Sequence, residues 1–97
     1  MVEVKREDNG IEGRFLAYED GAFAGEMTYL WADDKEILVE HTRVGEEFRG
    51  RGIAKILFDE MICFAKENNV KVMPVCSYVV KMFRKDPSLE VLKVSEE

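Results

Sequence analysis

Apolar and polar side chains alternate along the first half of the chain, the period of half-buried strands. Val2 and Val4 against Glu3 and Lys5 predict a short first strand, and Asp8-Asn9-Gly10 supplies a turn after it. Phe15, Leu16 and Tyr18 mark a second strand over residues 11–19. It ends at Asp20-Gly21, a hairpin signal because both residue types tolerate positive φ. A third strand over 23–31 carries Phe23, Gly25, Met27, Tyr29 and Trp31 on one face, an apolar aromatic face suited to lie under a helix. Asp33-Asp34-Lys35 makes the next turn. A fourth strand over 37–44 places Ile37, Val39, His41 and Arg43 on one face and Leu38, Glu40, Thr42 and Val44 on the other.

The period then changes. From 51 to 68, Ile53, Leu57, Met61 and Phe64 recur at helical spacing, joined by Ala54, Ile56 and Ala65, with Asp59, Glu60, Lys66 and Glu67 free to face water. Cys63 falls inside this repeat and reads as a packing residue. Asn68-Asn69 can close the helix in the left-handed conformation. A fifth strand follows over 70–75, in which Pro74 lacks an N–H and so weakens pairing to a neighbour. A second helix spans 77–85, Asp86-Pro87 stops it, and Val91, Leu92 and Val94 suggest a last extended segment before a polar end from about Lys93. Strand four, helix and strand five form a β-α-β unit with parallel strands and a right-handed crossover, while the strands before it, joined by short turns, should be antiparallel. The expected fold is therefore α/β (α+β), with a mixed, mostly antiparallel sheet.

Composition agrees with this picture. At 97 residues, 46% hydrophobic and 35% charged, the chain reads as one globular domain over 1–97. A chain of this size buries roughly 65% of its unfolded surface without disulfide or metal staples. Cys63, Cys76 and the single His41 fit no structural zinc spacing and no disulfide framework. The early charges and the lack of a long apolar stretch at the start lead to the expectation of a cytoplasmic protein. A net charge of −6, from 20 acidic and 14 basic side chains, argues against nucleic acid or an anionic membrane as partner. Between Arg43 and Lys55 the sign reverses locally, to +2 against −8 for the remainder. A small basic island in an acidic protein suits a compact phosphate ligand, or is simply a solvated loop.

The island contains Arg49-Gly50-Arg51-Gly52-Ile53-Ala54, which fits the pattern [RQ]-x-x-G-x-[GA]. Gly50 and Gly52 let the backbone approach a ligand, and the N–H groups that follow open a helix whose dipole favours an anion. Arg49 and Arg51 can add charge-assisted bonds. The chain has no nucleoside triphosphate loop, and Gly50-x-Gly52 lacks the third glycine of the dinucleotide fingerprint.

Three spaced motifs, His41-Thr42-Arg43-Val44, Arg49 through Ala54, and Pro74-Val75-Cys76-Ser77-Tyr78, together resemble the small YjdJ-type branch of the Gcn5-related N-acetyltransferases, over nearly the whole chain. The resemblance implies that strands four and five splay apart and that coenzyme A or acetyl-CoA lies in the opening. It implies a pantetheine arm along Thr42, Arg43 and Val44. The pyrophosphate would rest on Arg49, Gly50, Arg51, Gly52, Ile53, Ala54 and Lys55, with Cys76 and Tyr78 beside the thioester. Pro74 would help to hold the strands apart. Two departures stand out. Where many members of the superfamily place an Asn and, seven residues later, a proton-donating Tyr, this chain has Cys76 and Phe83, so that Tyr78, one helical turn closer, is the available phenol. Larger members carry helices between strands one and two; here only Asp8-Asn9-Gly10 stands there, which implies an open acceptor cleft.

The candidate catalytic residues are Cys76 and His41. Cys76, at the start of the last helix, is placed for a lowered thiol pKa, and otherwise is a small packing residue. His41 can act as base toward Cys76 or an incoming amine, and otherwise is a hydrogen-bonded histidine of the sheet. The expected function is acetyl-CoA-dependent N-acyl transfer to an amine on a small molecule or protein, directly or through acyl-Cys76. The alternative is a non-catalytic coenzyme A or acyl-CoA-binding module. A monomer or weak homodimer is expected, with no metal.

Overall fold

The computed structural model describes residues 1–94. Its elements are β1 (Val2–Asp8), β2 (Glu12–Glu19), β3 (Ala22–Asp33), β4 (Glu36–Val44), α1 (Ile53–Asn68), β5 (Lys71–Pro74) and α2 (Ser77–Lys85), with 3₁₀ turns at Glu46–Phe48 and Pro87–Leu92. The strands form one sheet in the order β1-β2-β3-β4-β5. Short turns make the first three pairings antiparallel, and the crossover through α1 makes β4 and β5 parallel. Asp20 and Gly21 turn the β2–β3 hairpin with φ of 49° and 88°, and Asn69 closes α1 at φ 56°. The fold class read from the sequence is the one observed, and no described helix is long and apolar enough to cross a membrane.

α1 covers one face of the sheet. Ile53, Leu57, Phe58, Met61, Ile62 and Ala65 are its buried stripe, meeting Phe15, Ala17, Met27, Tyr29, Ile37 and Val39 from the strands. Phe64 stacks against Phe15, Tyr29 and Trp31 at 5.8, 6.2 and 6.2 Å between ring centroids. The Tyr29 ring lies across Gly13, where an added Cβ would stand 2.4 Å from the ring's Cζ and hydroxyl and 2.9 Å from the Glu7 carbonyl. Gly13→Ala should therefore cost roughly 1–3 kcal/mol through overpacking, read as a drop in thermal midpoint; an unchanged midpoint would refute this packing.

Four expectations are corrected. First, β3 carries a bulge: Ala17 opposes Gly25 but Tyr18 opposes Phe23, leaving Ala24 extra. Ala24 takes the core position, and Phe23 turns out, 53% exposed, with its ring on Tyr18. Second, β4 bulges at Glu40, because Tyr29 opposes Val39 while Thr28 opposes His41. The extra residue reverses the alternation, so Thr42 and Val44, not His41 and Arg43, share the face of Ile37 and Val39. Third, Cys63 is exposed rather than packed; two residues past Met61, it stands about 200° round the helix from the buried stripe. Fourth, the end of the chain is not an extended segment but the 3₁₀ turn Pro87–Leu92, followed by one parallel bridge of Lys93 to Val72. Of the polar end expected from Lys93, residues 95–97 lie outside the described residues.

Candidate functional site

β4 and β5 pair over only four positions, from Glu36–Lys71 to Val39–Pro74. The ladder stops where the chain chemistry requires it to. Pro74 has no N–H to donate, and the Val39 carbonyl accepts from both Val75 N–H (3.1 Å) and Cys76 N–H (3.0 Å) as β5 turns into α2. Beyond Val39, β4 keeps its pairing with β3 as far as Val44 but has no partner on the β5 side. The gap is a cleft of about 480 Å³ lined by Thr42, Arg43, Val44, Arg49, Ala54 and Tyr78.

At one end of the cleft lies the glycine loop. Gly50 and Gly52 take φ of 82° and 77°, a left-handed backbone that suits residues without Cβ. Gly52 is the N-cap of α1 and offers no capping side chain. The first N–H groups of a helix have no intrahelical partner. Here, among the described residues, no N–H from Gly50 to Lys55 donates to any carbonyl or side chain. Arg49 lines the cleft. Arg51 instead donates to Glu19 Oε1 at 3.2 Å, and Lys55 pairs with Asp59 at 2.7 Å along the first turn of α1.

At the other end stands Cys76, the N-cap of α2. Its Sγ lies 3.4 Å from Thr42 Oγ1, a contact that the β4 bulge makes possible by turning Thr42 inward. Burial by itself would push the thiol up. Hydrogen bonds from the Thr42 hydroxyl and from the backbone N–H groups of Val79, Tyr78 and Thr42 outweigh it, and the thiol is held below its ordinary pKa. Tyr78 is the neighbouring phenol, edge-on to Phe58 at 6.5 Å. Its pKa is raised, by burial first, against the opposing charge of Lys55 and with Asp59 and Cys76 adding to the rise. Phe83 is buried with its ring perpendicular to Phe58 at 5.8 Å, so it packs the core and carries no proton. The structure thus brings Thr42, Tyr78, Arg43, Val44, Arg49 and Ala54 to one cleft, with Cys76 against Thr42 at its edge. It does not bring His41 to Cys76: His41 is exposed on the opposite face, opposite Thr28.

That opposite face holds a feature the sequence reading missed. A cavity of about 670 Å³ is lined by Glu7, Asp8, Glu12, Glu26 and Glu40 and by a single cation, Arg14, together with Asn9, Gly13, Thr28 and Tyr29. Arg14 is already engaged by Glu7 at 3.0 Å and Glu26 at 3.5 Å. The carboxylates come from four strands, so no local motif announces them. Their signal was the polar half of each strand's alternation, and only the register sets those halves side by side.

The sequence model of the family described as GCN5-related N-acetyl-transferase matches residues 14–92. The chain belongs to this family. Protein NATD1 of Xenopus tropicalis is 33% identical to it over 67 residues, 69% of this chain and 62% of the relative. Protein NATD1 of Mus musculus is 30% identical over the same share of the chain and 61% of its own. The chain therefore spans about three fifths of the length of these curated relatives. Among solved structures, a GCN5-like protein from Staphylococcus aureus aligns with TM-score 0.71 at 30% identity, over 98% of this chain and 90% of that one. A GNAT family acetyltransferase from Elizabethkingia anophelis with acetyl-CoA bound aligns with TM-score 0.64 at 15% identity, over 75% and 63%, a likeness of fold. The parting of β4 and β5 beyond Val39 and Pro74 agrees with the splayed strands that the sequence resemblance implied.

Proposed function

We propose that this chain is an acetyl-CoA-dependent N-acetyltransferase acting on an amine. The observation that carries the reading is the run of unpartnered N–H groups from Gly50 to Lys55, at an uncapped helix start and continuous with the free edge of β4. Such a run suits a pyrophosphate, and the unpaired edge from Glu40 to Val44 suits the amide-bearing pantetheine arm. The cleft would direct the thioester toward Cys76 and Thr42. In this reading coenzyme A touches Thr42, Arg43, Val44, the loop from Arg49 to Lys55, Cys76 and Tyr78.

The chemistry follows from the groups at the mouth of the cleft. The Cys76 thiolate attacks the thioester carbonyl, a C–S bond to Cys76 forms, and the bond to the coenzyme A sulfur breaks. That sulfur takes the proton of Tyr78, whose raised pKa keeps the phenol protonated. A neutral amine then attacks acetyl-Cys76, the C–N bond forms, and the Cys76 sulfur leaves. The departing Cys76 sulfur takes the amine proton, and His41, on the sheet face opposite the thiol, has no part in this step. The carboxylate-lined cavity on that same face, which Glu40 borders just past the last β4–β5 pair, favours a cationic over an anionic acceptor by its charge.

Titration with coenzyme A should move the amide resonances from Val44 to Lys55. Arg49→Gln should weaken binding by about 1.5–3 kcal/mol, the scale of one charge-assisted hydrogen bond. Unmoved resonances at millimolar ligand would defeat the cofactor assignment. A chain that binds acetyl-CoA but transfers nothing to itself or to any amine would instead be the non-catalytic binding module.

A further inference from the structure

We infer that Glu19 is the positioning residue of the glycine loop, acting through Arg51. The two glycines leave this segment without conformational restraint of its own. Between the Arg49 N–H, bonded to Glu46 at 3.3 Å, and the Gly52 carbonyl, bonded to Ile56 N–H at 3.1 Å, no backbone group is tied to the rest of the protein among the described residues. One side-chain bond crosses the gap: Arg51 to Glu19 Oε1, 32 positions away at the end of β2.

Glu19 is the fixed partner of the pair, and Arg51, whose side chain is 55% exposed, is the one it holds. The Glu19 side chain is 17% exposed, so its carboxylate is held in place by its surroundings. Its other oxygen lies 3.6 Å from the terminal amine of Met1. The Arg51 guanidinium also sits 5.7 Å over the Phe48 ring, and Phe48 packs on the core. Arg51 is turned away from the cleft that Arg49 lines. The two arginines flanking Gly50 thus divide the work: Arg49 faces the ligand, and Arg51 fastens the loop to the sheet. An exposed ion pair by itself contributes little to stability, but the effect here is on the order of a loop whose N–H groups must converge on one anion.

This inference rests on the coenzyme A reading for its purpose, but the anchor has a readout of its own. In the ligand-free protein, Glu19→Gln and Arg51→Gln should each raise the fast backbone mobility of residues 49–53, measured by heteronuclear ¹⁵N relaxation, with the thermal midpoint little changed. Each should weaken coenzyme A by about three- to ten-fold, and the double variant should weaken it no further, as expected of coupled residues. The exchanged pair, Glu19→Arg with Arg51→Glu, should recover much of the affinity. Tighter coenzyme A binding in Glu19→Gln would overturn the inference, since it would mean that Glu19 withholds Arg51 from the phosphates. Additive losses, or a loop whose relaxation ignores Glu19, would overturn it equally. If the loop loosens as expected while the unmodified protein binds no coenzyme A, the anchor stands and the cofactor reading falls.

Discussion

Cys76→Ala is expected to abolish the acetyl adduct that intact mass should reveal after incubation of the protein with acetyl-CoA, and to lower amine acetylation by about 100-fold or more, the scale of removing a catalytic group. The thiol stands at the N-terminus of α2, 3.4 Å from the Thr42 hydroxyl, with its pKa held below the ordinary value. Cys63→Ala should leave the adduct intact, because Cys63 lies on the solvent side of α1, away from the cleft. Its exposure changes how the control is read. Iodoacetamide should reach both cysteines, and what distinguishes Cys76 is the pH at which labelling begins, below the free-thiol value of about 8.5, together with protection by coenzyme A. Identical pH profiles for the two thiols, or an adduct surviving in Cys76→Ala, would remove the covalent route and leave direct transfer.

Asp8→Ala is expected to produce the largest loss of stability. One carboxylate oxygen, Oδ2, accepts from Tyr29 Oη at 2.6 Å, Trp31 Nε1 at 2.9 Å and Arg6 at 2.9 Å, and so ties the end of β1 to β3. Tyr29 is 1% exposed, and removal of its acceptor leaves the hydroxyl proton without a partner while its oxygen still accepts from Arg6 at 2.9 Å. A cost of about 2–4 kcal/mol follows, or a fall of roughly 10–20 °C in thermal midpoint for a domain of this size. The same oxygen sets a pH dependence. Burial alone would raise the Asp8 pKa, but the bonds from Tyr29, the Gly10 N–H and Trp31, with the charge of Arg6, outweigh it and hold the carboxyl below its ordinary value. A lowered native pKa gives a contribution fully present above the unfolded value of about 4 and lost as pH falls through the native value. The stability difference between the unmodified protein and Asp8→Asn should therefore be constant near neutrality and shrink below about pH 4. A difference that grows on acidification would show that the carboxylate is not what the network holds. The same bonds act on the phenol: burial first, then Asp8, push Tyr29 up to about 12 against the opposing pull of Arg6.

The order of the elements was legible in the sequence because each rests on local physics. Asp20-Gly21 and Asn69 adopt positive φ from their own preferences, alternation marks β1 to β4, the helical period marks α1, and Asp86-Pro87 ends α2 where the chain predicts. The glycine loop was legible for the same reason, since Gly50 and Gly52 act on their own backbone. Pro74 likewise announced the end of the β4–β5 ladder by having no N–H. What the chain could not disclose were the facts that belong to pairs of distant segments. The bulges at Ala24 and Glu40 arise from the register between strands, and a single extra residue reverses every side chain beyond it. That reversal sent Phe23 to solvent, brought Thr42 to Cys76 and placed His41 on the face of the acidic cavity. Arg51 looked equivalent to Arg49 until the end of β2 supplied Glu19 as its partner. Turns and periods are decided by a residue and its neighbours along the chain, whereas facing, pairing and charge balance are decided by which strand lies alongside, and only the assembled sheet settles that.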